Sequence, residues 1–177
     1  LQSYYATDNI KRMEKVSFAD MPCSMANTLD IVGEWWSLLI IRDIFIGINR
    51  FNSLRDHLGI ARNMLQRRLQ RLDEGGIIYK YPLQNGHAEF RLTEAGVALY
   101  PVLLALASWG DEWLAEKPPN LFIHDACGNA VNATVVCNHC GEPLGSHNIT
   151  QEPGPSMLEP DASRLRFLIK ELKAAEK

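Results

Sequence analysis

Apolar residues recur at helical spacing over the first two thirds of the chain, and polar or glycine breaks cut them into short elements. Met25, Leu29 and Val32 predict a helix capped by Ser24 and closed by Gly33. Trp36, Leu39, Ile40 and Ile44 predict a second over 35–45, followed by a turn at Gly47-Ile48-Asn49. A third, short helix is expected from Phe51 through Leu54 to Leu58, broken by Gly59-Ile60. A fourth covers 62–74, with Leu65, Leu69 and Leu72 on one face and Gly75-Gly76 as its stop. Two strands follow, at 77–81 and 89–92, both rich in β-branched and aromatic residues. Asn85-Gly86 between them predicts a hairpin through a type I′ turn.

Thr93 is placed to cap a helix that runs to about Leu114 with a kink at Pro101. Leu99, Val102, Leu103, Leu106, Trp109 and Trp113 give it one broad apolar stripe. Pro118-Pro119 is the clearest boundary in the chain. A cysteine-containing segment (122–145), a Pro/Gly connector (152–155) and an amphipathic helix from Asp161 through Leu165, Leu168 and Leu172 complete the chain, with no evident internal repeat. The expected fold is mainly α with a small β-hairpin wing. Its parts are an N-terminal arm (1–22, flexible or a short helix), a winged unit (23–117), a Cys/His segment (118–150) and a connector with terminal helix (151–177).

An apolar fraction of 46% and a charged fraction of 22% are those of a packed globular chain. No run approaches the ~20 apolar residues that span a bilayer. Asp8, Lys11, Arg12 and Glu14 interrupt the N-terminus, which excludes a secretory signal there and gives a cytoplasmic expectation. The net charge of −3 argues against coating nucleic acid by bulk charge. Between 42 and 80, however, eight basic residues stand against four acidic ones, so positive charge is concentrated in one segment. An enzyme is not expected. The chain has no Gly-rich phosphate loop, no nucleophile elbow and no paired carboxylates among apolar residues; Asp43, Asp56 and Asp73 read as helix-surface charges.

On the helix at 62–74, Arg62, Asn63, Gln66, Arg67 and Gln70 fall opposite the leucines. Arg can bind guanine bidentately and Asn or Gln can do so for adenine, so this face suits base edges in a major groove. Arg68 and Arg71 lie further round and read as phosphate contacts, together with Arg50 and Arg55. A solvated arginine face is the bland alternative. Three short helices, a basic last one and a hairpin in that order favour DNA. The wing tip, Gln84, Asn85 and His87, is then set for the minor groove or the backbone.

The sequence resembles HxlR-type regulators. The resemblance runs from Cys23-Ser24-Met25 and Leu29–Trp36 through Ile41-Arg42-Asp43, Gly47 and Arg50–Leu54. It continues in Ile60, Met64-Leu65, Arg68-Leu69, Leu72, Gly76-Ile77-Ile78, Leu92–Gly96 and Trp109-Gly110, covering about residues 22–115. It implies a bacterial winged-helix homodimer, joined through its terminal helices, that binds a palindromic operator in double-stranded DNA without a cofactor. Trp109 and Trp113 on so wide a stripe argue separately for a dimer, with burial in the core as the alternative. One position departs from the family: Ala61 stands where a serine usually opens the recognition helix, losing a cap of about 1 kcal/mol. In several members a cysteine at the place of Cys23 senses oxidants or electrophiles, and a helix N-terminus makes a thiol more reactive. A small buried residue is the other reading of Cys23. Two further possibilities stay open: an interaction module that uses the scaffold without touching DNA, and an effector cavity lined by Trp35, Trp36 and the long helix.

The remaining cysteines raise a separate question. His124-Asp125-Ala126-Cys127-Gly128 and Cys137-Asn138-His139-Cys140-Gly141 both have the form ligand-x-x-Cys-Gly. Four N/S ligands in that pattern fit a closed structural zinc site, which would staple a segment too small for a core of its own. His139 or His147 in place of His124, a metal-free turn pair, and a Cys137–Cys140 disulfide are the competing readings.

Overall fold

The computed structural model describes residues 17–18, 20–84 and 86–175. The element order is α1 (Ser24–Val32), α2 (Ser37–Phe45), α3 (Phe51–Leu58), α4 (Arg62–Glu74), β1 (Ile78–Pro82), β2 (Ala88–Leu92), α5 (Glu94–Val97), α6 (Tyr100–Trp113) and α7 (Glu159–Ala175). The result is mainly helical with one two-stranded antiparallel hairpin. Most of the arm expected over 1–22, and Asn85 of the wing tip, lie outside the described residues.

The core is the meeting of the apolar faces of α1 to α4 with the start of β1. Ile40, Ile41, Leu54, Leu65, Leu72 and Ile78 are its most deeply buried aliphatic members, joined by Val32, Ile44, Ile60, Leu69 and Ile77. Burial of this kind, on the order of 1.5–3 kcal/mol per large aliphatic side chain, is the main force holding these four helices together. β1 and β2 pair with Ile78 opposite Leu92 and Lys80 opposite Phe90. Phe90 N–H donates to the Asn49 carbonyl in the α2–α3 loop (2.8 Å), which ties the hairpin to the helical unit, and Thr93 N–H donates to the Ile77 carbonyl (3.0 Å), which closes the base of the hairpin. Gly96 lies so close to Ile77 that a Cβ would come within 2.2 Å of its carbonyl oxygen, which fixes how α5 seats on the hairpin base.

Several expectations are corrected. Cys23, not Ser24, occupies the cap position of α1, and Ser24 is already helical. The hairpin does not close through a two-residue type I′ turn. Leu83 N–H donates to the His87 carbonyl and Gly86 N–H to the Leu83 carbonyl, so the loop is three residues long, with Gly86 at φ 75° in the position a three-residue loop reserves for glycine. The long helix is broken rather than kinked, at Ala98-Leu99 between α5 and α6. Pro101 sits in the first turn of α6, where a missing N–H costs nothing. Asp43 is not a surface charge: it is fully buried, with Arg42 Nη2 at 2.7 Å from one carboxylate oxygen and His57 Nδ1 at 2.7 Å from the other. Among the described residues no helix is long and apolar enough to cross a membrane.

Candidate nucleic-acid interface

α3 and α4 are joined by three residues, Gly59-Ile60-Ala61, with Gly59 in the left-handed region and Ile60 pinned in the core. The leucine face of α4 is held inside by Leu65, Leu69 and Leu72, which turns Arg62, Asn63, Gln66, Arg67 and Gln70 outward, all exposed. Arg62 lies over the ring of Phe51, 5.4 Å from its centroid, so its guanidinium is steered by α3 without being buried. Gln70 Nε2 donates to Glu74 one turn on (2.8 Å), which turns this amide towards the helix C-terminus and away from the basic end.

The start of α4 shows how the chain manages without a capping serine at position 61. Ala61 makes no side-chain cap. Instead Asn63 Oδ1 accepts from Met64 N–H at 2.8 Å, satisfying one of the helix's unpaired donors from inside the first turn. Its amide nitrogen stays on the exposed face. In the free chain, Asn63 is therefore a helix-end residue as well as a candidate base reader.

Arg68 and Arg71, expected at phosphates, are held in ion pairs within the chain. Arg68 Nη2 lies 2.8 Å from the Glu34 carboxylate, and Arg71 donates to both the carboxylate and the carbonyl of Asp30. Asp30 is buried and also accepts from Phe18 N–H (3.1 Å). These two arginines tie α4 to α1 and its following turn, and their charge is spent there. Arg55 is likewise engaged, 2.6 Å from Asp56.

A second positive surface lies between the start of α3 and the wing. Arg50, Asn52, Ser53, Lys80, Gly86 and His87 line an open cleft of about 490 Å³. Arg50 and His87 were expected at such a site; Lys80, Asn52 and Ser53 were not. The readable signal for Lys80 was its register: opposite Phe90, it shares the hairpin face that Phe90 presses towards α2 and α3. Arg91, also on the wing, stacks on Tyr81 at 3.6 Å and bonds Glu89 at 2.7 Å; the Glu89 carboxylate raises its pKa further above the usual guanidinium range. Its charge is thus partnered within the wing.

Elsewhere, α6 buries no residue within the single chain. Trp109 and Trp113 are 56% and 67% exposed, so neither is a core residue of one protomer. Trp35, Leu38, Leu39, Phe45, Leu103 and Phe122 are among the residues around an apolar cavity of about 480 Å³ between α2 and α6, on whose wall Arg42 is the charged side chain. Trp36 is not part of that wall; it packs against the core. Cys23 is exposed, as are Cys127 and Cys140, with Cys137 half-buried, and all four are free thiols. The Cys127 thiol is held below its usual range by Asn129, through the side-chain amide first and the backbone second. Backbone N–H groups of Cys140 and His139 do the same for Cys137. His124 Nδ1 lies 3.3 Å from Cys127 Sγ. Among the described residues, no three His, Cys, Asp or Glu side chains gather as a group that could hold a metal ion.

The family model for the HxlR-like helix-turn-helix matches residues 31–118. The chain is 42% identical over 136 residues to an uncharacterized HTH-type transcriptional regulator, Rv3095, of Mycobacterium tuberculosis, covering 75% of this chain and 86% of that protein. It is 34% identical over 98 residues to another, sll1512 of Synechocystis, covering 54% of this chain and 73% of that one. Among solved structures, that of PA1607, a candidate transcription factor, is similar with a TM-score of 0.72 and 33% identity, covering 78% of this chain and 100% of that one. A second, of PA1374 from Pseudomonas aeruginosa, gives a TM-score of 0.57 at 32% identity, covering 80% and 99%. With the helix-turn-helix at α3–α4, the hairpin behind it and these relatives, the chain belongs to the HxlR-like helix-turn-helix family of transcriptional regulators.

Proposed function

We propose that the chain binds double-stranded DNA as a homodimer and regulates transcription, with α4 in the major groove and the wing cleft against the phosphate backbone. The observation that carries this reading is the division of labour on α4. Arg62, Asn63, Gln66 and Arg67 at its N-terminal half are exposed. The two arginines nearer its C-terminus are tied to α1 and the turn after it. A helix enters a major groove with its N-terminal residues nearest the bases, and here those residues have the chemistry to read guanine and adenine edges. Arg50 and Lys80 line the separate cleft between the start of α3 and the wing, where their charge suits phosphates.

A palindromic operator requires a second α4 about 34 Å from the first. The surface that supports a second copy is the stripe Val102, Leu106, Trp109 and Trp113, spaced at i, i+4, i+7 and i+11 on α6 and exposed in the single chain. Met25 and Leu29 on α1 are exposed as well. Apolar surface of this extent on a monomer marks an interaction face. Two modes of control fit the same scaffold. One is an apolar effector in the cavity between α2 and α6; the other is oxidation of the exposed Cys23. Footprinting on DNA from upstream of the chain's own gene tests the reading. Two protected half-sites about 10–10.5 base pairs apart, or a multiple of that, support it. Protection without sequence preference, or none, contradicts it.

A further inference from the structure

The C-terminal segment uses one backbone turn twice. His124 N–H donates to the Asn129 carbonyl and Gly128 N–H to the His124 carbonyl. Thirteen positions on, Cys137 N–H donates to the Glu142 carbonyl and Gly141 N–H to the Cys137 carbonyl. The flanks correspond as well. Val131 N–H donates to the Phe122 carbonyl and Leu144 N–H to the Val135 carbonyl, and the bridges Ile123–Ala130 and Val136–Pro143 are equivalent pairs. Gly128 and Gly141 reverse the chain at φ 69° and 77°, a conformation that costs glycine little. Across the ten matched positions only Cys127/Cys140 and Gly128/Gly141 are the same residue. What the two turns share is a thiol at the fourth position and the glycine behind it.

No residue from 118 to 150 is buried, so this duplicated geometry has no apolar core beneath it. A segment of that kind needs a staple, and all of its cysteines are free thiols. We propose that the two turns are zinc knuckles, in which His124, Cys127, Cys137 and Cys140 together hold one structural Zn²⁺. The repeat itself selects the ligands. His124 is the positional equivalent of Cys137, whereas His139 corresponds to Ala126 and so falls at a non-ligand position. The ring of His147 lies against Gly145 in the turn that follows. The 3.3 Å between His124 Nδ1 and Cys127 Sγ is close to the roughly 3.5 Å separating a nitrogen and a sulfur on one tetrahedral zinc. Among the described residues the two ligand pairs do not gather into one group, so the two turns would have to approach each other to share an ion. The loop between them is anchored to α6, where Ala133 N–H donates to Ser108 Oγ at 2.9 Å.

The test is titration of the reduced full-length chain with Co²⁺ under anaerobic conditions, followed by displacement with Zn²⁺. The expected result is one equivalent per chain, with a thiolate-to-metal charge-transfer band and the intense visible bands of a tetrahedral site. Cys127→Ser, Cys140→Ser and His124→Asn should each weaken binding at least tenfold. Cys23→Ser and His139→Ala should titrate like the parent. Absence of the charge-transfer band in the reduced parent overturns the proposal, whatever the variants do. Loss of the band in His139→Ala with retention in His124→Asn overturns the ligand set. Neither arm involves DNA, so the result stands apart from the regulator reading.

Discussion

Asp43 Oδ2 lies 2.7 Å from His57 Nδ1, and this contact links α2 to α3 from the inside of the winged unit. The other carboxylate oxygen accepts from Arg42 Nε at 3.0 Å and Nη2 at 2.7 Å. Both partners are nearly half exposed while Asp43 is fully buried, so the pair meets at the edge of the core. Asp43→Ala removes hydrogen bonds to a buried acceptor and is expected to lower stability by about 1–3 kcal/mol. Thermal melting of the variant checks this; a melting curve that overlays the parent would show that the contact contributes nothing.

The arginines of α4 should separate into two classes. Arg68→Ala and Arg71→Ala are expected to lower the melting temperature, because each removes an ion pair that ties α4 to α1 or the turn after it. Gln66→Ala and Arg67→Ala should leave it unchanged and weaken binding to the preferred DNA about thirtyfold, near the middle of the 1–3 kcal/mol a base contact is worth. Melting and binding measured on the same four proteins decide it. A common loss of DNA affinity with no loss of stability in all four would place Arg68 and Arg71 back on the DNA.

Trp113→Glu puts a charge into the exposed apolar stripe of α6. Sedimentation equilibrium is expected to show the parent as a dimer and the variant as a monomer with an unchanged helical spectrum. A variant that remains dimeric would move the interface elsewhere.

Cys23 is exposed at the cap of α1, within reach of a soluble oxidant. If it is the sensor, treatment with diamide or peroxide should alter DNA affinity of the parent and leave Cys23→Ser unaffected. An equal response in both would assign any redox effect to another thiol.

The sequence was most informative where local chemistry alone decides the structure. α3 and α4 begin and end where the glycines and the leucine period put them, because the stop signals and buried faces lie within the elements themselves. The exposed face of α4 follows from the same period. The roles of Arg68 and Arg71 were not legible, since their partners, Asp30 and Glu34, are more than thirty positions away and no local pattern joins them. Asp43 carried a faint signal: it lies three residues after Ile40 and two after Ile41, on the side of α2 that the core covers. The hairpin loop misled because Asn-Gly fits two turn geometries, and the backbone adopts the three-residue one. The duplicated C-terminal turn was hidden for a different reason. Its equivalence lies in carbonyl and N–H pairing, and too few side chains are shared for a repeat to be read from residue types.

The central claim is that the exposed N-terminal half of α4, together with the cleft that Arg50 and Lys80 line, meets DNA. Fluorescence anisotropy on upstream DNA over a range of salt concentrations tests it most directly, with the parent and an Arg50→Ala/Lys80→Ala double variant side by side. For four lysine and arginine contacts in a dimer, the logarithm of affinity should fall with that of salt at a slope steeper by about 3–4 in the parent than in the variant. Parallel slopes, or no binding by the parent at low salt, would contradict the account.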